Sequence, residues 1–143
     1  MTYKNSTNKK ININQIRLLR KSIGWQPRSE NKWKEILSKS SFVYSVWDGK
    51  KLIGMGRLIE DGIMCMLYDI VVHKNYQGKG IGKIIVNKII EQTKNKKYCS
   101  IALFTDKDKI KFYKKLGFKV AIVAMEYNWH ITKIWEKQSK KKK

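Results

Sequence analysis

The stretch from Asp69 to Lys83, DIVVHKNYQGKGIGK, constrains this chain more than any other, because it forces a strand to become a helix by way of glycines. Ile70, Val71 and Val72 continue an apolar strand that breaks at His73-Lys74-Asn75. After Gln77-Gly78-Lys79-Gly80-Ile81-Gly82-Lys83 the pattern changes period, with Ile81, Ile84, Ile85, Ile89 and Ile90 falling on one side of a helix. Glycines let an anion approach the backbone, and the first turn of a helix offers unpaired N–H groups with partial positive charge. The stretch therefore predicts a phosphate cradle, and spacing decides which kind. A dinucleotide fingerprint needs G-x-G-x-x-G, whereas the glycines here stand at 78, 80 and 82. A P-loop needs four residues between its first glycine and a Gly-Lys pair followed by Ser or Thr. Gly78 and Gly82 enclose only three, and Ile84 follows Lys83.

What the run does match is Q/R-x-x-G-x-G/A, as Gln77-Gly78-Lys79-Gly80-Ile81-Gly82. Farther along stands Phe112-Tyr113-Lys114-Lys115-Leu116-Gly117-Phe118, which fits FYxxxGF. In this order and spacing the two motifs resemble the GNAT superfamily of acetyl-CoA-dependent N-acetyltransferases, with agreement from Ile16 to Trp129. Within it, Tyr68 to Val72, the glycine run and Leu103-Phe104-Thr105-Asp106 look most like small stand-alone arylalkylamine enzymes of the serotonin type and their bacterial relatives. Many superfamily members carry Asn where this chain has Asp106, which puts a direct contact of that side chain to CoA in doubt.

The resemblance implies an α/β (α+β) fold, a mixed and mostly antiparallel sheet of roughly six or seven strands with about four helices and a splayed parallel strand pair. It implies a single domain over residues 1–130, with a basic tail at 131–143 expected to be partly disordered by self-repulsion. Acetyl-CoA would be the cosubstrate and a small primary amine the acceptor. Backbone groups of Ile70, Val71 and Val72 would pair with the pantetheine arm, an N–H near Ile70 polarising the thioester carbonyl. Amides from Gly78, Lys79, Gly80, Ile81, Gly82 and Lys83 would hold the diphosphate, with Gln77 bracing the loop. Lys79 and Lys83 either add charge to it or are solvated surface lysines. Tyr113 would contact the thiol and serve as general acid, since a phenol with pKa about 10 can protonate a thiolate near 8.5. An alkylammonium must lose a proton before it attacks, and Asp69, directly or through a water, is the leading candidate base. Its competing reading is a charge at a strand bulge paired with a lysine. Glu60, Asp61 and Glu126 are lesser base candidates, and His73 reads as a solvent-facing loop residue.

Composition limits the alternatives. A chain of 143 residues with 42% hydrophobic content can build one real core. No apolar run reaches the roughly 20 residues of a membrane span, and the lead is polar, so a cytoplasmic location is expected. Cys65 and Cys99 show no metal-binding spacing, so no metal is expected and both read as buried reduced thiols. The formal charge of +21 would draw nucleic acid or anionic membrane nonspecifically and would steer a polyanion such as CoA. The excess is nearly all lysine, with four arginines (Arg17, Arg20, Arg28, Arg57), and Asn and Ile are abundant beside it. These residues share A/T-rich codons, so base composition suffices to explain the charge and no specific nucleic-acid partner is expected. The alternative from another class is a noncatalytic module that binds nucleic acid or membrane through its lysines. A homodimer through the C-terminal strands stays open.

In order, the polar lead from Met1 to Lys10 offers a short edge strand. Asn12 with Gln15 reads as a capping box opening a helix with Ile16, Leu19 and Ile23 on one face, and Gly24 closes it. Ser29 caps a second helix carrying Trp33, Ile36 and Leu37, and Trp25 and Trp33 are candidates to line an acceptor cleft. Phe42–Trp47, Lys51–Glu60 and Ile63–Val72 form antiparallel strands joined at Asp48-Gly49-Lys50 and Asp61-Gly62. A helix over Gly80–Lys94 crosses to a parallel strand at Tyr98–Phe104. Asp106 caps a helix over Lys107–Lys115, and Phe118–Trp129 supplies the last strand or strands.

Overall fold

The computed structural model describes residues 2–121 and 125. The polar lead forms a three-residue edge strand, β1 (Lys4–Ser6). Asn12 opens α1 (Ile13–Ser22) by accepting the Gln15 N–H on Oδ1 at 3.3 Å. The return half of the expected capping box is replaced: Gln15 Oε1 accepts the N–H of Leu52 at 3.1 Å and so ties the helix to the sheet. Ile16, Leu19 and Arg20 are its buried residues, and Gly24 follows in the left-handed region at φ +77°. Ser29 Oγ accepts from the Lys32 N–H at 3.1 Å to open α2 (Glu30–Lys39), which buries Trp33 and Leu37. Trp33 is fully buried, so it belongs to the core and not to a cleft wall; Trp25 remains 37% exposed.

Three antiparallel strands follow: β2 (Phe42–Asp48), β3 (Lys51–Glu60) and β4 (Met64–Val72). Then come α3 (Ile81–Glu91), β5 (Ser100–Ala102) and α4 (Ile110–Lys115). The sheet runs β1-β2-β3-β4-β5, and its one parallel pair among the described residues is β4 with β5, joined by the crossover helix α3. The fold is thus α+β, with five strands among the described residues; the strands expected beyond Phe118 lie mostly outside them.

Tyr44, Val46, Ile53, Leu58, Cys65 and Leu67 share one face, where Ile81, Ile85, Val86 and Ile89 of α3 cover them. Ile53 joins Leu58 there because it is the extra residue of an irregularity in β3, between the pairing of Trp47 with Leu52 and that of Val46 with Gly54. Val43, Leu52, Met55 and Val71 line the other face with Ile16, Leu19, Trp33 and Leu37 of the first two helices. In α3 the fully buried Val86 takes a core place expected for Ile84, which is 46% exposed.

Several elements are shorter than the sequence predicts: α3, expected over Gly80–Lys94, spans Ile81–Glu91, and β4 starts at Met64 rather than Ile63. The pairing of β5 with β4 covers only Met64–Met66 against Ser100–Ala102, so the strand expected over Tyr98–Phe104 is cut to three residues. Cys99 consequently sits outside the strand and is exposed, whereas Cys65 is buried as expected. The helix expected over Lys107–Lys115 begins as a single 3-10 turn at Lys107–Lys109, and the Asp106 side chain makes no capping bond. Asp61 caps its own turn, its Oδ1 accepting from the N–H groups of Ile63 and Met64 at 2.9 and 2.8 Å.

Candidate functional site

The site begins where β4 loses its regularity. Leu58, Arg57 and Met55 of β3 oppose Leu67, Tyr68 and Val71 of β4, so Asp69 and Ile70 together face the single residue Gly56. This is a β-bulge, and it reverses which face each side chain takes. Ahead of it Cys65 and Leu67 point to α3; beyond it Val71 joins the opposite layer and Ile70 packs on the α3 side. Asp69 carries the reversal with φ +50°, a left-handed conformation that Asp tolerates better than most residues.

Gly56 makes room for the bulge. A Cβ there would lie 2.6 Å from Cδ1 of both Ile70 and Ile89 and 2.8 Å from Cγ2 of Ile85. On the other face the Asp69 carboxylate is gripped by two guanidinium groups. Arg20 Nη1 donates to Oδ1, and Arg57 Nε donates to Oδ2 at 2.7 Å. The three side chains are 6%, 8% and 14% exposed for Arg20, Arg57 and Asp69. Aromatic faces hold both arginines: the Arg20 guanidinium lies 4.7 Å from the Trp25 ring centroid and 5.3 Å from that of Trp33, and Arg57 lies 5.3 Å from Tyr68. Arg57 Nη1 also donates to Ser40 Oγ at 3.0 Å, at the end of α2. Burial pulls the Arg20 pKa down, with Asp69 opposing, yet an arginine keeps its charge throughout the physiological range.

Beyond the bulge, β4 and β5 part company. The last paired residue of β4 is Met66, so among the described residues the edge from Leu67 to Val72 that faces β5 has no strand beside it. An extended chain fits such a gap as an added strand. At its end the His73 N–H donates to the Ile53 carbonyl at 2.8 Å, and His73 Nδ1 accepts from the Asn75 N–H at 3.1 Å. His73 is therefore a structural part of the turn at Lys74–Tyr76; burial and then Lys51 lower its pKa. Tyr76 anchors that turn by donating to Asp48 Oδ2 at 2.7 Å.

The glycine run completes the cradle. Gly78 and Gly80 both adopt left-handed angles, φ +76° and +81°, and Gly80 is the residue on which α3 begins. An L-residue is disfavoured there, and the first turn of a helix leaves N–H groups without intrahelical partners. Gln77 Nε2 donates to the Val72 carbonyl at 3.1 Å, joining the loop to the end of β4. Gly82 serves packing instead, since a Cβ on it would meet Cζ of Phe112 at 3.2 Å, and its absence lets α4 press against the start of α3. Lys79 Nζ lies 5.2 Å from the Tyr76 ring centroid, and Lys83 is exposed.

That contact seats α4, on which Tyr113 follows Phe112, against the start of α3. Tyr113 is half-buried, edge-on to Phe112 at 4.9 Å and to Phe118 at 5.6 Å. Burial pushes its pKa up to about 12, so the phenol is a weaker acid than the ordinary tyrosine value assumed from sequence. Tyr113 and Asp69 share no hydrogen bond. Among the lesser candidates, Glu60 Oε2 accepts the Gly62 N–H at 2.8 Å and Asp61 is spent on its turn, while Glu126 lies outside the described residues. Arg20, Arg57 and Ser40 are residues that motif reading passed over. A signal for two of them was present: in a chain rich in lysine, arginine is rare.

Comparison with known proteins identifies the family and the fold. The profile of the Acetyltransferase (GNAT) family matches residues 11–118. A Pyropia yezoensis protein called uncharacterized N-acetyltransferase ycf52 is 37% identical over 118 residues, which cover 79% of this chain and 68% of that protein. A Glycine max protein called histone acetyltransferase TAP1 is 29% identical over 76% of this chain and 52% of its own length. Among solved structures, a Staphylococcus aureus protein described as "Probable Acetyltransferase" superposes with a TM-score of 0.76 at 28% identity, covering 88% of this chain and 100% of that one. Glucosamine-6-phosphate N-acetyltransferase from Arabidopsis thaliana shares the fold, with a TM-score of 0.71 at 17% identity over 90% and 99% of the two chains. With a bulged and parted β4, glycines that open a helix at its end and a family profile over most of its length, the chain belongs to the GNAT family of acetyltransferases.

Proposed function

We propose that this protein is an acetyl-CoA-dependent N-acetyltransferase that acts on a primary amine by direct attack in a ternary complex. The observation that carries the proposal is the pair of left-handed glycines, Gly78 and Gly80, opening α3 at the end of a strand whose outer edge, among the described residues, has no strand beside it where an extended arm would lie. Acetyl-CoA supplies an activated thioester, on which the amine forms a C–N bond as the C–S bond breaks. Amides from Gly78 to Lys83 hold the diphosphate, and the backbone of Ile70, Val71 and Val72 aligns the arm. The peptide N–H near Ile70 stabilises charge on the acetyl oxygen.

Tyr113 donates its phenolic hydrogen to the departing sulfur. With its pKa at about 12 against a thiol near 8.5, complete transfer is uphill, so hydrogen bonding during C–S cleavage is its main contribution. The ammonium proton leaves toward Asp69. Each Asp69 oxygen already accepts from a guanidinium, and its remaining lone pairs are reached through a bridging water.

Thermal unfolding with and without saturating acetyl-CoA, with NADH, ATP and duplex DNA as controls, tests this reading. Acetyl-CoA at 100 times its dissociation constant should add about 2.7 kcal/mol of stability. A panel of aromatic amines, aliphatic amines, polyamines, aminoglycosides and lysine peptides, assayed by released thiol, then identifies the acceptor. Stabilisation by DNA alone, with no thiol released, would replace the enzyme reading with a lysine-mediated nucleic-acid module, for which the +21 charge is the favouring observation.

A further inference from the structure

We propose that Arg20 and Arg57 are positioning residues for acetyl transfer, which grip the two oxygens of Asp69 and thereby hold the left-handed turn that aims the Asp69–Ile70 peptide at the acetyl group. The inference rests on the acetyl-transfer reading and adds to it a device that no motif of the chain announces.

A non-glycine residue at φ +50° persists only where its surroundings over-determine it. Here the backbone of the bulge is fixed from both faces. Ile70 is seated over Gly56 against Ile85 and Ile89 on the α3 side, where no other residue type fits without displacing core atoms. Asp69 is drawn to the opposite side by Arg20 from α1 and Arg57 from β3. The arginines are themselves immobilised, Arg20 between Trp25 and Trp33 and Arg57 between Tyr68 and Ser40. Rotation of the peptide that follows Asp69 would thus have to break an ion pair or push Ile70 into α3. The device also runs between layers: it joins α1, the end of α2 and β3 to the one place in β4 where the strand changes face.

Charge balance makes the idea testable without wrecking the fold. Two arginines face one aspartate, so Arg57→Met leaves the neutral pair Arg20 and Asp69, and Arg20→Met leaves Arg57 and Asp69. Kinetics of Arg57→Met, Arg57→Lys, Asp69→Asn and the double variant Asp69→Asn/Arg57→Met would be compared, each well below its own melting temperature. Because a misaimed oxyanion donor acts on the chemical step, Arg57→Met should lower kcat about tenfold or more, with KM for acetyl-CoA within about threefold. Arg57→Lys should recover part of the loss. Since Arg57 acts through Asp69, the double variant should be no slower than the slower single one. Independently of turnover, residual dipolar couplings should report a reoriented Ile70 N–H vector in Arg57→Met and Arg20→Met. An unchanged vector, an unchanged kcat in folded Arg57→Met, or losses that multiply in the double variant would overturn the proposal. Absence of turnover in the wild type would count against acetyl transfer, and the dipolar couplings would still decide whether the arginines hold the turn.

Discussion

Tyr113 shows how far one side chain's surroundings decide its chemistry. Flanked by Phe112 and Phe118 and half-buried, it stays protonated beyond the pH at which an ordinary tyrosine ionises. Such a group is a durable donor and a reluctant acid. Tyr113→Phe should therefore lower kcat about a hundredfold while leaving acetyl-CoA binding nearly intact, read from steady-state rates and a thermal shift. The same burial has a signature at alkaline pH. Because the folded-state pKa lies above the ordinary value of 10.0, at about 12, the contribution of the buried phenol is whole below pH 10 and is lost as pH rises toward 12. Across that window the wild type should lose melting temperature faster than Tyr113→Phe. At this scale the sequence was legible where residue type and local spacing carry the message, as in the left-handed Gly78 and Gly80 that open α3. It offered a strand bulge at Asp69 but named a lysine as the partner, and the structure corrects this to Arg20 and Arg57, which stand 49 and 12 positions away and meet it only through tertiary packing. The rarity of arginine, four in the whole chain, was the one available hint, and two of the four converge on a single carboxylate.

Among elements, β4 was the easiest to find and the hardest to read correctly. Its apolar run placed it at Ile63–Val72, one residue longer than the observed Met64–Val72, but alternation alone would send Val71 to the same face as Leu67. The extra residue at Asp69 and Ile70 reverses that assignment, and a bulge leaves no mark in hydrophobicity beyond an interrupted alternation. Its mark lies on the neighbouring strand instead, in Gly56. Gly56→Ala places a methyl group against Ile70, Ile85 and Ile89 and should cost about 1–3 kcal/mol, measured by urea unfolding. A loss below about 0.5 kcal/mol would mean that α3 can slide away and that the bulge is less confined than its packing indicates. The brevity of β5 was likewise unreadable: Tyr98 to Phe104 is apolar enough for a longer strand, and only the divergence of β4 after Met66 limits it.

For the molecule as a whole, the excess of positive charge is spread through a fold whose core is ordinary. Two apolar layers, α3 on one face of the sheet and α1 with α2 on the other, leave the lysines among the described residues to the surface. A formal +21 creates a field that a polyanion such as acetyl-CoA would feel before contact. Its association rate should fall steeply as ionic strength rises from about 0.01 to 0.15 M, where the Debye length contracts from about 30 to 8 Å, while dissociation changes little. Stopped-flow measurements across that range check it; an association rate indifferent to salt would assign the charge to composition alone.

The short seam between β4 and β5 carries a consequence for the life of the protein. Three paired residues on each side join these strands among the described residues, and a sheet closed by so short a ladder opens there more readily than within the long β2–β3–β4 ladders. If an extended thioester arm lies in the gap beyond the seam, it supplies the missing rungs, and the ligand becomes part of the fold's resistance to proteases. The half-life of this protein would then rise and fall with the supply of its own acyl donor, so that a metabolic shortage would remove the enzyme as well as idle it.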